Sequence, residues 1–401
     1  MDATTTIWRG CLLALAGAMA VSAEGASIPD VTLALEYQWF AHEAEAADYA
    51  EDQLLQAAVT WDHLSQDGKW RLDLDAYVAH SRRDDERSRA DLRSLSLVYY
   101  ADRFDIKVGV ATEFWGVTES RHLVDIINQT SVVDNLDEEI KLGQPMIKWQ
   151  THQDWGNLQL FWLPVFRDRL FPAAGARLSP GLPVDGDTAR YASGAERKHQ
   201  DLALRYAHTL GDWDLGLSYF RGTSRDPLLD VVVNTAGQWV LSPYYEQIEQ
   251  QSLDLQRTRE GLLLKLEAIQ RHGSRQGNYH ALVTGFEYTQ NGLFGTAADL
   301  GYIVEYLYDK RGPTANTPFQ DDVFAGLRLA FNNIGQTTLL LGMYQDLPDH
   351  SQVMRLELDT RLRDNLELSL EGQVFSGVAS TDLLYDLRND DYLRATLRLY
   401  F

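Results

Sequence analysis

The chain has 401 residues, a formal net charge of -22, 45% hydrophobic residues and a mean hydropathy of -0.30. No run approaches the roughly 20 apolar residues of a membrane-spanning helix, and so acidic a balance argues against a nucleic-acid binder, which needs basic patches to meet phosphates. Cys11 is the only cysteine.

Residues 1–23 read as a secretory signal peptide. Arg9 supplies the positive charge, the run from Cys11 to Val21 is the apolar core, and Val21-Ser22-Ala23 fits the small-residue cleavage rule. Export would remove Cys11, leaving a chain from Glu24 with no disulfide, no thiolate metal site and no cysteine nucleophile. Asp2 and Arg9 cancel, so the charge stays on residues 24–401.

From there one pattern repeats. Leu33, Leu35, Tyr37 and Trp39 share one parity, followed by Leu55, Ala57, Val59 and Trp61, then Leu72, Leu74, Ala76 and Val78. The alternation continues through 95–99, 106–110, 147–149, 158–162, 202–206, 215–219, 253–255 and 262–266. It goes on through 282–288, 302–306, 327–331, 339–343, 354–358 and 366–370. In the closing stretch, Leu393, Ala395, Leu397, Leu399 and Phe401 take one face, and Tyr392, Arg394, Thr396, Arg398 and Tyr400 take the other. Successive side chains of a strand point to opposite faces. An apolar-out, polar-in period of two over about ten residues is the signature of a transmembrane β-barrel, and hydropathy scans miss it because every second residue faces the lumen. The count comes to about eighteen strands, an even number as closed single-chain barrels have.

The connections sort into two sets. Short Gly-, Asn- and Asp-rich turns include Gln66-Asp67-Gly68-Lys69, Asp154-Trp155-Gly156, Asn291-Gly292 and Arg363-Asp364-Asn365. Longer ones lie near 42–52, 81–89, 115–143, 167–199, 223–249, 310–321 and 377–389, with shorter ones at 271–278 and 346–351. Short periplasmic turns and long external loops are the expected arrangement. The stretch 228–247 reads either as a hairpin inside a loop or as two further strands.

The inward parity carries Arg71, Asp73, Lys107, Lys148, Arg205, Lys265, Glu267, Arg328, Arg355, Glu357, Arg394 and Arg398, with Glu287 and Glu305 among the further acids. These residues are expected either to set the selectivity of a water-filled pore or to pair across the wall. The most distinctive connection, Trp115 to Gln144, has Leu123, Ile126 and Ile127 at helical spacing, which predicts a short helix. Folded inward, this loop would narrow the lumen with Glu119, Arg121, Asp125 and Asn128; otherwise it lies outside the barrel. Asp134, Asp137, Glu138 and Glu139 match no defined calcium loop and read as a solvated acidic run, so no metal site is expected. His63 and Ser65 share a strand face, an arrangement open to a lipase, but no third partner follows them. Gly-x-Ser-x-Gly, His-Glu-x-x-His and phosphate-binding glycine loops are absent from the sequence. Neither catalytic residues nor a cofactor are expected.

With this strand parity, loop asymmetry, terminal Phe401 and long third loop, the chain resembles Gram-negative outer-membrane porins. More narrowly, it resembles the eighteen-stranded export and uptake channels such as the alginate-export type. The resemblance implies an all-β transmembrane barrel over 24–401 in the cell outer membrane, surrounded by its lipid. It also implies insertion by machinery that reads Phe401, and passage of small or polar solutes. Alginate-type channels are expected to have a strongly basic lumen, whereas here acids match bases. The alternatives are an outer-membrane enzyme and a structural barrel with a plugged lumen.

Overall fold

The computed structural model describes residues 28–44 and 47–401; the expected signal segment 1–23 lies outside them. The wall begins with β1 (Asp30–Phe40), β2 (Glu51–Leu64), β3 (Trp70–Ser81), β4 (Ala90–Tyr100), β5 (Asp105–Ala111), β6 (Gln144–Gln153) and β7 (Gly156–Leu163). The short β8 (Arg190–Tyr191) leaves it, and β9 (Asp201–Leu210) and β10 (Trp213–Thr223) continue it. β11 (Leu228–Val233) and β12 (Trp239–Tyr245) join β8 in a separate three-stranded sheet. The wall is completed by β13 (Gln247–Arg259), β14 (Leu262–Gly273), β15 (Gly277–Gln290), β16 (Asp299–Asp309), β17 (Asp321–Ala330), β18 (Thr338–Asp346), β19 (Gln352–Arg363), β20 (Leu366–Ser376) and β21 (Tyr392–Tyr400).

Each wall strand pairs antiparallel with its neighbours. β1 pairs with both β2 and β21, with Leu35 opposite Leu55 on one side and Leu397 on the other. Eighteen strands therefore close into a barrel that has no free edge. The predicted parity holds along this seam. Leu33, Leu35, Tyr37 and Trp39 are exposed on the outside, whereas Ala34 and Gln38 are buried inside. Trp70 leans on Tyr99 across neighbouring strands at a barrel rim, where interfacial aromatics are expected.

The rims are unequal. One carries short turns such as 154–155, 211–212, 260–261 and 364–365, and the other carries the long connections 112–143, 164–200 and 224–246. Two of the short-rim connections are longer than tight turns: 291–298, where Asn291-Gly292 suggested a tight turn, contains a 3-10 turn at Leu293–Gly295, and 331–337 is of similar length. The stretch 228–247 is a hairpin within a loop. β11 pairs with β12, β12 pairs in parallel with β8, and neither enters the wall.

The inner face is less polar than strict alternation predicts. Phe161, Phe220, Ile269, Ile303 and Phe324 stand opposite inward residues and are buried. They are covered by the third long connection, which lies inside the barrel.

Candidate functional site

The loop 112–143 leaves β5 and returns at β6. The spacing of Leu123, Ile126 and Ile127 predicts a helix, but the segment is a series of turns and isolated bridges. Tertiary burial explains the spacing instead. Trp115, Leu123, Val124, Ile126 and Ile127 join Phe161, Phe220, Ile269, Ile303, Phe324 and Tyr344 in one buried cluster across the inner wall. Trp115 meets Phe161 edge-on, with ring centroids 5.6 Å apart, and the Arg205 guanidinium lies 5.1 Å from the Trp115 ring.

Polar contacts hold the loop on three wall strands. Glu267 on β14 accepts hydrogen bonds from the amides of Val117 (2.7 Å), Thr118 (3.1 Å) and Val124 (3.1 Å), and from the Thr118 hydroxyl (2.8 Å). Glu305 on β16 accepts from the amides of Glu119 (2.9 Å) and Ser120 (2.8 Å) and from the Ser120 hydroxyl (2.6 Å). On β18, the Tyr344 hydroxyl donates to the Ser120 carbonyl at 2.9 Å. Hydrogen bonds to a charged group contribute about 1.5–3 kcal/mol each.

Wall cations take the loop's acids in turn. Lys107 and Lys148 hold Glu113 at 2.9 and 2.8 Å, Arg355 holds Asp137 at 2.7 Å, and Arg328 pairs with Glu119. The rest of the acidic run is paired as well. Asp134 pairs with Arg89, Glu138 with Arg169 and Glu139 with His122.

The four residues expected to narrow the lumen are all on the inserted loop, but they face different ways. Arg121, Asp125 and Asn128 line one cavity of about 90 Å³ on the long-loop side, together with Arg169, Arg271, Tyr279 and Arg311. Glu119 reaches Arg328, near the short-turn end of β17. Asn128 is buried and braces the loop's base: its amide donates to the carbonyls of Ala111 (3.0 Å) and Leu142 (2.8 Å), and its oxygen accepts from the Glu113 amide (2.8 Å). Asp125 pairs with Lys141. His122 bonds Glu139 at 2.9 Å; its Nδ1 lies 4.0 Å from Glu267, too far for a hydrogen bond but close enough for charge to act. Burial opposes the charge on His122, but the Glu139 hydrogen bond and the two carboxylates outweigh it and push its pKa up to about 10.

Most of the predicted lumen residues that do not hold the loop pair with wall side chains of opposite charge. Arg205 forms a two-pronged contact with Asp254 at 2.7 and 2.8 Å. Lys265 meets Glu287 at 3.0 Å, and Arg71 meets Asp73 at 2.7 Å. Arg394 meets Glu371 at 3.2 Å, Arg398 meets Glu367 at 3.2 Å, and Arg355 also touches Glu357. On the short-turn side, Arg71, Asp73, Asp105, Lys107, Lys148 and Gln150 line a second cavity of about 220 Å³. His63 stacks on Trp61, while the Ser65 hydroxyl donates to Asp67 and accepts from the Trp70 amide, so Ser65 serves its turn.

Sequence reasoning placed Glu267 and Glu305 on the inner face but not their role. For Glu305 the available signal was a lone carboxylate between two inward aliphatics, Ile303 and Leu307. Tyr344 and Glu113 were missed altogether.

No protein-family model matches the chain, and no curated protein sequence does. Solved structures do match. The chain is similar to Wzi of Escherichia coli, described as an outer-membrane protein involved in group 1 capsule assembly and a carbohydrate-binding β-barrel. The identity is 9% and the TM-score 0.56, over 100% of this chain and 89% of that one. It is similar to OpdQ of Pseudomonas aeruginosa at 12% identity and TM-score 0.54, over 93% of this chain and 97% of that one. It is also similar to OccK8 (OprE) of the same organism at 13% identity and TM-score 0.54, over 94% and 99%. At these identities the likeness establishes the fold alone: a closed eighteen-stranded antiparallel β-barrel, the architecture of these outer-membrane proteins.

Proposed function

We propose that this barrel is an outer-membrane channel that passes small polar solutes around the inserted loop. One observation carries the reading. Charged side chains beside the loop, on the lumen face toward the short-turn rim, keep access to solvent: the Arg328 side chain is 40% exposed and its partner Glu119 26%. A sealed core would bury or exclude such groups. The charges of both signs that line the lumen argue for discrimination by local pairs rather than by one dominant sign. In this reading residues 1–23 direct export, the insertion machinery reads Phe401, and the outward apolar belt meets outer-membrane lipid.

Planar-bilayer recording tests the proposal. The refolded protein is expected to conduct, and Arg328→Gln is expected to shift the reversal potential in a salt gradient toward cations. A folded protein that carries no current would overturn the channel.

The buried cluster of loop and wall side chains favours a second reading, a plugged structural barrel. In that case the parent would be silent, and only a chain lacking 118–140 would conduct.

A further inference from the structure

We infer that Glu267 and Glu305 are positioning residues that clasp loop segment 117–124 at mid-height and so set the bore of the passage; this rests on the channel reading above. Both carboxylates are fully buried at 0% exposure. Among the described residues, neither forms an ion pair with a lysine or an arginine, and their partners are the loop's own amide and hydroxyl donors. His122, 4.0 Å from Glu267, is the nearest ionisable cation.

The local sequence makes room for the clasp. β14 and β16 flank β15, where Gly285 stands directly opposite Glu305. A Cβ on Gly285 would sit 2.0 Å from the Val304 carbonyl oxygen and 2.7 Å from both Cα and Cγ of Glu305, so only glycine lets β15 and β16 approach this closely beside Glu305. Gly116 has φ 142°, and a Cβ there would sit 2.8 Å from a Glu267 carboxylate oxygen. Glycine therefore permits both the backbone angle and the close approach.

The chemistry explains why this clasp, rather than the ion pairs, fixes the bore. A buried carboxylate must be compensated. Long arginine side chains can follow a loop as it shifts. Backbone amides cannot, because they compensate only if the segment holds one conformation at one distance from the wall. Glu119–Arg328 and Asp137–Arg355 then supply charge along the passage, and Glu267 and Glu305 supply stiffness.

The test separates loop motion from current. In a Cys11→Ser background, a nitroxide label at Glu119→Cys reports the segment's mobility directly. Adding Glu267→Gln and Glu305→Gln turns one carboxylate oxygen at each post into a donor facing donors. The mobile fraction of the label is expected to rise severalfold, and single-channel conductance to increase with frequent transient closures. Glu305→Asp keeps the charge but withdraws it by one methylene, and an intermediate loosening is expected; it also serves if the double variant does not fold. An immobile label and unchanged conductance in either variant would overturn the clasp while leaving the channel reading intact. A loosened label with no current in parent or variant would bring down the bore assignment together with the channel reading.

Discussion

Two long connections contain comparable amounts of apolar side chain and are treated in opposite ways. In the loop 112–143, Leu123, Val124, Ile126 and Ile127 are buried in the lumen. In the connection 224–246, Leu229, Val231, Val233 and Trp239 stand exposed on one face of the β11–β12 hairpin. The difference lies in where the backbone finds partners. The hairpin satisfies its own amides and carbonyls by pairing β11 with β12 and β12 with β8, so it needs nothing from the wall. The loop 112–143 has little regular pairing of its own, and an unpaired amide in a buried place is costly. It can enter the lumen because Glu267, Glu305 and Tyr344 wait there as partners. Burial of a connection inside a barrel is thus decided by its polar groups as much as by its greasy ones.

Paired substitutions sharpen this contrast. Ile127→Asp places a carboxylate among Phe220, Ile269 and their neighbours and is expected to cost about 3 kcal/mol or more, seen as a lower melting temperature and a protease-sensitive loop. Val231→Asp on the exposed hairpin face is expected to fall within about 0.5 kcal/mol. Equal effects at the two positions would refute the assignment of inside and outside. Asn128→Ala strands the Glu113 amide and two carbonyls and is expected to cost about 1–3 kcal/mol, read as earlier cleavage between 112 and 143 in limited proteolysis.

The smallest effect concerns pH. Because the folded pKa of His122 is raised from an ordinary 6.5 to about 10, its stabilising contribution is complete below about pH 6.5 and is lost as pH rises through 10. A label on the loop is expected to loosen over that range. In His122→Gln the dependence on this range is expected to flatten; a persisting transition would assign it to another group.

The wall was legible because its signal is local and repeated. Leu393 to Phe401 carry a period of two that recurs around the barrel, so each strand confirms the others, while closure itself rests on the pairing of β1 with β21. Long polar connections could be counted in the same way. The helix expected from Leu123, Ile126 and Ile127 did not form, since apolar side chains spaced three and four apart can equally be buried by turns pressed against a wall. The hairpin at 228–247 had strand-like residues, but membership in the wall depends on neighbours that no local pattern names.

By itself, then, the sequence determined an amphipathic eighteen-stranded wall, its two unequal rims and the parity of its charged residues. Only the tertiary structure decided that the third long connection lies inside and that most lumen charges pair. The physical reason is separation along the chain. The amides of Val117 and Glu119 meet carboxylates 150 and 186 positions away, and nothing in the loop's own residues encodes which side of the barrel will offer them.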